Sequence, residues 1–112
     1  MEFALDLILI CHSYGEKLEM LKEKRRGLRN LDIIEKDILV ERIKKLSVFE
    51  AHRFYVKEVR NLILLAKSKI GVEIIKHRKK LIYRVQFHPE IKMEENQGIQ
   101  IPTNFLNLRK TM

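Results

Sequence analysis

The segment from Leu81 to Phe87 alternates apolar and polar side chains with a period of two. This period predicts a β-strand with one buried face, since successive side chains of a strand point to opposite faces of the sheet. His88, Pro89 and Glu90 follow, and proline ends a strand because it has no N–H to donate. An imidazole and a carboxylate at a strand terminus suit a general base and its orienting group. A capped strand with a surface histidine fits the same residues.

The rest of the chain predicts alternating strands and helices. An apolar run over residues 3–11 predicts a buried strand, and residues 16–26, with leucines spaced by three, predict a helix that Gly27 caps. Pro102 argues against a long regular helix in the weakly helical C-terminal segment. The remaining predicted elements are strands at 28–34, 62–67, 72–76 and 81–87, a short helix at 37–46, and the weakly helical segment at 99–108.

Cys11, the single cysteine, lies where the predicted first strand gives way to a turn and a helix. A nucleophile elbow has this geometry, and the backbone N–H groups and helix dipole there lower the pKa of a thiol. The alternative interpretation is a small buried hydrophobic residue at the end of an apolar run. A lone cysteine forms no internal disulfide and nothing points to export, so we expect a cytoplasmic protein.

Composition narrows the class of protein. With 112 residues, 46% hydrophobic and 34% charged, the chain fits one globular domain. It has no apolar run of transmembrane length and no signal peptide, so no membrane partner is expected. The content of Lys, Glu, Ile and Leu is compatible with a thermophile. Because the sequence shows neither metal-ligand spacing nor a phosphate- or dinucleotide-binding fingerprint, it predicts no metal and no cofactor.

The net charge of +8 raises the question of nucleic-acid binding. No aromatic residues are interleaved with the basic ones to stack on bases, so a solvated basic surface is favoured and nucleic-acid binding is the minority hypothesis. Two clusters carry much of the charge: Lys22, Lys24, Arg25, Arg26 and Arg29, then Lys76, Arg78, Lys79 and Lys80.

The residues Val-Gln-Phe-His-Pro-Glu at 85–90 resemble the catalytic His/Glu motif of class I glutamine amidotransferases, and the surrounding chain is similar to the amidotransferase subunits of archaeal GMP synthases. The similarity is clear over residues 31–92 and looser to the end. The segments that carry it are Val-Phe-Glu-Ala-His at 48–52, Val-Lys-Glu-Val at 56–59, Leu-Leu-Ala-Lys-Ser at 64–68 and Gly-Val-Glu-Ile-Ile-Lys-His at 71–77, with Gly98, Asn104 and Phe105.

The resemblance implies an α/β fold: an incomplete, flavodoxin-like three-layer amidotransferase domain with a mixed sheet. Residues 1–112 would form a single truncated domain, since only ten residues precede Cys11 where the family has several strands and helices. The chain also departs from the family's residues. The turn after Cys11 has no glutamine, and Arg84 replaces a glycine before the His/Glu motif.

The resemblance also implies a mechanism without a cofactor. Cys11 would attack the side-chain amide of glutamine, His88 would pass the thiol proton to departing ammonia, and Glu90 would orient the imidazole. His52 would support substrate binding, although a partly buried, hydrogen-bonded histidine fits it equally well. Ammonia would pass to an ATP-dependent synthetase partner.

Two other functions stay open. One is a non-catalytic binding or assembly module, and the other is a small basic nucleic-acid-binding protein. An unpaired edge on the first predicted strand also predicts a homo-oligomer or a second chain that completes the sheet.

Overall fold

The computed structural model describes residues 2–4, 7–35, 37–40, 43, 45–80, 82–88 and 95–111. The strands are β1 (Glu2–Ala4), β2 (Leu18–Ile33), β3 (Lys45–Val56), β4 (Ile63–Lys67), β5 (Val72–Lys76) and β6 (Ile82–Val85). The helices are α1 (Leu7–Ser13) and α2 (Gln100–Thr111), with a short 3-10 helix at Ile38–Val40. No helix in these ranges is both long and apolar enough to cross a membrane.

The six described strands form one mixed sheet, as the family resemblance implies. Their order is β1-β6-β5-β4-β2-β3, with β1 parallel to β6 and every other neighbouring pair antiparallel. Within the described part of the chain, β1 and β3 are therefore the two edge strands.

The β2–β3 hairpin curls over the rest of the sheet. Its strands have 16 and 12 residues, yet β2 pairs with β4 only at Asp32 and Ile33. At the other edge of the hairpin, the N–H of His88 donates to the carbonyl oxygen of Phe49 at 2.8 Å. The edge of β3 thus meets the chain that follows β6, and the curl places β3 against the end of β6.

Two apolar clusters fill the interior. The larger lies between the curled sheet and α2 and contains Tyr83, Phe87 and Phe105. The smaller packs α1 against β3 and β5; its buried members are Leu7, Cys11, Val56, Leu62, Val72 and Ile75. Burial of side chains of this size is the main stabilising contribution to such a fold.

The predicted helix at 16–26 is wrong, because this segment is the first half of β2. Leu18 pairs with Val56 and Met20 with Phe54, so cross-strand pairing outweighs the helical propensity of the many Lys, Glu and Arg residues. Gly27 does not cap a helix but lies inside β2 with a φ of +140°, a conformation that favours glycine.

The predicted strand at 3–11 is also wrong beyond its first residues. β1 ends at Ala4, and Leu7 to Ser13 form α1, whose apolar side chains pack into the smaller cluster. A short apolar run has no periodicity that separates a buried strand from a buried helix.

The predicted helix at 37–46 is reduced to the 3-10 helix, since β3 already begins at Lys45. Asp37 holds this segment against the sheet by accepting hydrogen bonds from Leu39 N, Tyr83 Oη and Lys76 Nζ. The strands predicted at 28–34, 62–67, 72–76 and 81–87 are confirmed, residue 81 lying outside the described ranges. α2 is a 12-residue helix because Pro102 falls in its first turn, where no N–H is needed.

Candidate functional site

His88, half-buried just after β6, is fixed to the edge of β3 at two points. Its N–H donates to Phe49 O at 2.8 Å, and its Nε2 lies 3.3 Å from Ala51 O. Because a carbonyl oxygen only accepts, Nε2 carries the hydrogen in this contact. Glu90, predicted to orient His88, lies outside the described residues.

Asn96 also stabilises this junction between His88 and the edge of β3. Its Oδ1 accepts from the N–H groups of Phe49 and Gly98 at 3.1 Å, and its Nδ2 donates to His88 O at 2.9 Å. Gln97 extends the contact by a hydrogen bond in each direction with the backbone of Ser47. The chain after β6 thus saturates part of the edge of β3, and sequence inspection gave no signal for this role of Asn96.

Cys11 lies in the interior of α1, not at a strand-to-helix turn. Its side chain is fully buried in the smaller cluster. Burial, reinforced by the charge of Glu16, raises the pKa of the Cys11 thiol to about 12. β1 ends at Ala4 and α1 begins at Leu7, so Cys11 does not lie where a strand gives way to a helix.

Glu50, His52, Ser68 and Glu73 form a buried polar cluster, here called the Glu50 cluster. His52 Nε2 lies 3.2 Å from Glu50 Oε2, and Ser68 Oγ donates to Glu73 Oε2 at 2.7 Å. Glu50 and His52 share one face of β3 because they are two residues apart, while Glu73 comes from β5. The curl of the sheet brings these non-neighbouring strands together.

Gln86 connects the two strands that supply the cluster. Its N–H donates to Glu73 O at 2.8 Å, and its Nε2 donates to Phe54 O at 3.0 Å. The polar face predicted for the last strand therefore points toward β3 and the Glu50 cluster instead of toward solvent.

The two carboxyl groups of the cluster titrate differently. The pKa of Glu73 lies well above its usual range because the carboxyl is buried and faces Glu50. Burial also acts to raise the pKa of Glu50, but hydrogen bonds from His52 and Glu73 and the charge of Arg29 together lower it. Of the two carboxyl groups, Glu73 therefore holds its proton more strongly.

Sequence reasoning identified His52 but missed Glu50 and Glu73 as its partners. The sequence spacing shows no metal-ligand group, whereas the fold brings ligand atoms of Glu50, His52 and Glu73 within 4.8 Å of one another. The one available signal was the Glu-x-His spacing on a strand; Glu73 joins only through the tertiary fold.

An open cleft of about 400 Å³ lies elsewhere, between the α1–β2 turn and residues 57–60. Its lining is charged, and Glu16 occupies part of it by accepting from Arg60 N and Asn61 N at 2.8 and 3.1 Å. None of the predicted site residues lines this cleft.

The chain belongs to the family described as glutamine amidotransferase class-I, whose sequence model matches residues 5–108. Among curated proteins, it is similar to the glutamine-hydrolyzing GMP synthase subunits from Pyrococcus abyssi, with 36% identity over 103 residues, and from Thermococcus kodakarensis, with 38% over 103 residues. Each match covers 89% of this chain and 54% of the relative. The chain thus spans about half the length of these relatives.

The fold agrees with this membership. The crystal structure of a protein assigned as a GMP synthase subunit from Thermoplasma acidophilum superimposes with a TM-score of 0.81 at 22% sequence identity, covering 98% of this chain and 57% of that one. A glutamine amidotransferase from Thermotoga maritima matches with a TM-score of 0.64 at 15% identity, covering 97% of this chain and 45% of that one. At these identities the similarity concerns the fold alone.

Proposed function

We propose that this chain is a non-hydrolytic member of its family, a binding or assembly module that does not use Cys11 to hydrolyse glutamine. One observation carries the proposal: Cys11 is fully buried in an apolar cluster in the interior of α1. The competing function is a glutaminase that uses Cys11, His88 and Glu90.

The burial of Cys11 opposes catalysis in two ways. The nucleophile of a cysteine amidase is the thiolate, and with a pKa of about 12 only about one thiol in 10⁵ is ionised at pH 7. The sulfur must also reach the substrate carbon, whereas the Cys11 side chain has no exposed surface. Ala4, the last residue of β1, carries no nucleophilic group.

His88 has a structural role that is independent of catalysis. Through Phe49, Ala51 and Asn96 it joins the end of β6 to the edge of β3. The His/Glu motif can therefore persist in a module that only has to keep this sheet closed.

A protein partner is the second half of the proposal. The curated relatives are named as subunits, which suggests an ATP-dependent synthetase as the partner of this chain. Support also comes from β1, an edge strand within the described sheet, since the backbone groups of an edge strand are available to a second chain. A second copy of this chain is the alternative occupant of that edge.

The catalytic half is tested with a glutamine-mimicking diazoketone and intact-protein mass spectrometry on the wild type, Cys11→Ser and His88→Ala. We expect no adduct on the folded wild type and no release of glutamate from glutamine. Alkylation of Cys11 after unfolding in urea shows that the thiol is intact. An adduct on Cys11 that disappears in His88→Ala would establish the glutaminase and overturn the proposal.

The assembly half is tested by sedimentation velocity of the protein, first by itself and then mixed with the GMP synthetase of the same organism. We expect a complex with the synthetase. If the protein stays monomeric in both samples, the assembly role is refuted. If it forms a homo-oligomer that does not bind the synthetase, its partner is a second copy of this chain.

A further inference from the structure

Three side chains that commonly bind metals meet inside the curled sheet. Glu50 and His52 come from β3 and Glu73 from β5, and one ligand atom of each lies within 4.8 Å of the others. Glu50 is fully buried, Glu73 is 1% exposed, and the His52 side chain is 9% exposed. The site is therefore enclosed, with access past the imidazole of His52.

The hydrogen bonds of the neutral His52 ring leave two acceptor atoms facing each other in the Glu50 cluster. Nδ1 lies 3.0 Å from Phe54 O, an acceptor, so Nδ1 carries the hydrogen of the neutral ring. In that tautomer Nε2 directs a lone pair at Glu50 Oε2, 3.2 Å away, whereas in the protonated ring Nε2 donates to this oxygen. Two acceptors at this distance need a proton or a cation between them.

Each of the two carboxyl groups also has a second oxygen that lacks a hydrogen-bond donor. Within the described part of the chain, Glu50 Oε1 and Glu73 Oε1 are buried without a hydrogen-bond partner. Buried polar atoms are rarely left so, and because the two carboxyl groups face each other, the missing partner is either a proton that Glu73 shares with Glu50 or a bound cation. The Ser68 hydroxyl does not remove the deficit, because it bonds the other oxygen of Glu73.

We propose that Glu50, His52 and Glu73 bind a divalent transition-metal ion of the Zn²⁺ class. Metal binding would displace the proton held by Glu73, and the two carboxylates and the neutral imidazole would then carry the charge that one divalent cation balances. Imidazole nitrogen combined with carboxylate oxygen favours Zn²⁺ over Mg²⁺ or Ca²⁺. In a tetrahedral Zn²⁺ site, neighbouring ligand atoms are about 3.3 Å apart. The 3.2 Å between His52 Nε2 and Glu50 Oε2 matches this edge.

The bound ion would act as a structural crosslink. In the sheet order, β4 and β2 separate β5 from β3, so no backbone ladder joins the two strands that supply the ligands. A metal bound to Glu73 on one side and to Glu50 and His52 on the other would hold the β2–β3 hairpin against the rest of the sheet. It would therefore raise the unfolding temperature, and by more as the free metal concentration increases. This inference does not depend on the proposed function.

The test is titration of chelator-treated full chain with Zn²⁺ by calorimetry and with Co²⁺ by visible absorption. We expect one ion per chain, a rise in unfolding temperature with Zn²⁺, and at least a tenfold loss of affinity in Glu73→Gln and in His52→Gln. Glu58→Gln and His12→Gln change exposed residues of the same types and should bind as the wild type does.

Several results would overturn the proposal. The first is a wild type that shows no saturable metal binding, and the second is a Glu73→Gln variant that binds with unchanged affinity. The third is a thiolate-to-Co²⁺ absorption band, which would place the ion at Cys11. A wild type that binds no metal, together with a Glu73→Gln variant that is more stable, would show that a shared proton holds the two carboxyl groups. If Glu73→Gln fails to fold, X-ray absorption on the Zn²⁺-loaded wild type decides, because the site requires one imidazole and only nitrogen and oxygen ligands.

Discussion

The N–H of His88 donates a 2.8 Å hydrogen bond to the carbonyl oxygen of Phe49, and this bond closes the curled sheet between the end of β6 and the edge of β3. The closure covers part of an edge strand that would otherwise offer unpaired backbone groups to other chains. It also accompanies the approach of Glu73 to Glu50 and His52, whose ligand atoms lie within 4.8 Å of one another.

Asn96→Ala should strongly destabilise the junction between His88 and the edge of β3. The change removes the acceptor for Phe49 N and Gly98 N and the donor to His88 O, all in a place where Asn96 is only 8% exposed. At about 1 kcal/mol per hydrogen bond, we expect a loss of about 2–3 kcal/mol in the free energy of unfolding, measured by urea titration.

Asn107→Ala, an exposed change in α2, is the matched control and should stay within about 0.5 kcal/mol of the wild type. An equal effect of the two substitutions would show that Asn96 does not hold the junction.

Gly71→Ala should be harmful because of a close backbone approach. A Cβ at this position would lie 2.5 Å from the carbonyl oxygen of Val56, a contact that side-chain rotation cannot relieve. The turn between β4 and β5 would have to move away from the end of β3. We expect a cost of about 1–3 kcal/mol in urea unfolding, whereas Lys69→Ala in the same turn should be nearly neutral. A Gly71→Ala variant as stable as the wild type would mean that this approach is looser than the structure shows.

Local pattern predicted the strands whose pairing is local. Alternation and turn residues located β4, β5 and β6, which follow one another in the chain and pair with their neighbours. The first half of β2 was read as a helix, because its lysines, glutamates and leucines favour helix and its actual partner, β3, lies some 30 residues away. Pairing between strands that are distant in the chain produces no sequence periodicity strong enough to outweigh the local helical propensity.

The candidate site shows the same limit. His88 was found because it ends an alternating strand, and His52 because of the family resemblance. Glu73 is the one carboxylate in β5, and the sequence around it gives no sign of its partner. Its proximity to Glu50 arises from the curl of the hairpin, and Cys11 was misplaced because an apolar run of this length fits strand and helix equally well.

Asp37→Ala should release the segment between β2 and β3. The carboxylate accepts from Leu39 N at 2.9 Å, Tyr83 Oη at 3.0 Å and Lys76 Nζ at 2.9 Å. Loss of a charged acceptor with three donors should lower the free energy of unfolding by about 2–4 kcal/mol. Glu35→Ala removes an exposed carboxylate nearby and should change it by less than about 0.5 kcal/mol.

A double-mutant cycle separates the Tyr83 contact from the others. Tyr83→Phe alone should cost about 1 kcal/mol, and in the Asp37→Ala background much less, because its acceptor is already absent. Strict additivity of the two changes would contradict the hydrogen bond between Tyr83 and Asp37.

Cys11 should make the protein less stable in alkali. Its pKa is about 12 in the folded chain and near 9.0 in the absence of burial, so the folded state keeps a proton that the unfolded state loses. The stabilisation from the protonated thiol is complete below pH 9 and is lost as the pH rises toward 12. By pH 10.5 the free energy of unfolding should fall by roughly 1–2 kcal/mol through this group.

The measurement is urea unfolding of the wild type and Cys11→Ala under reducing conditions at pH 7.5, 9, 10 and 10.5. Lysines and tyrosines titrate in both proteins, so the difference between the two isolates the thiol. At pH 7.5 the wild type should be more stable, because alanine leaves a small cavity among Leu7, Val56 and Ile75. That advantage should shrink or reverse at pH 10.5. A difference that stays constant with pH would mean that the thiol ionises normally in the folded chain, and the case against Cys11 as a nucleophile would lose its electrostatic part.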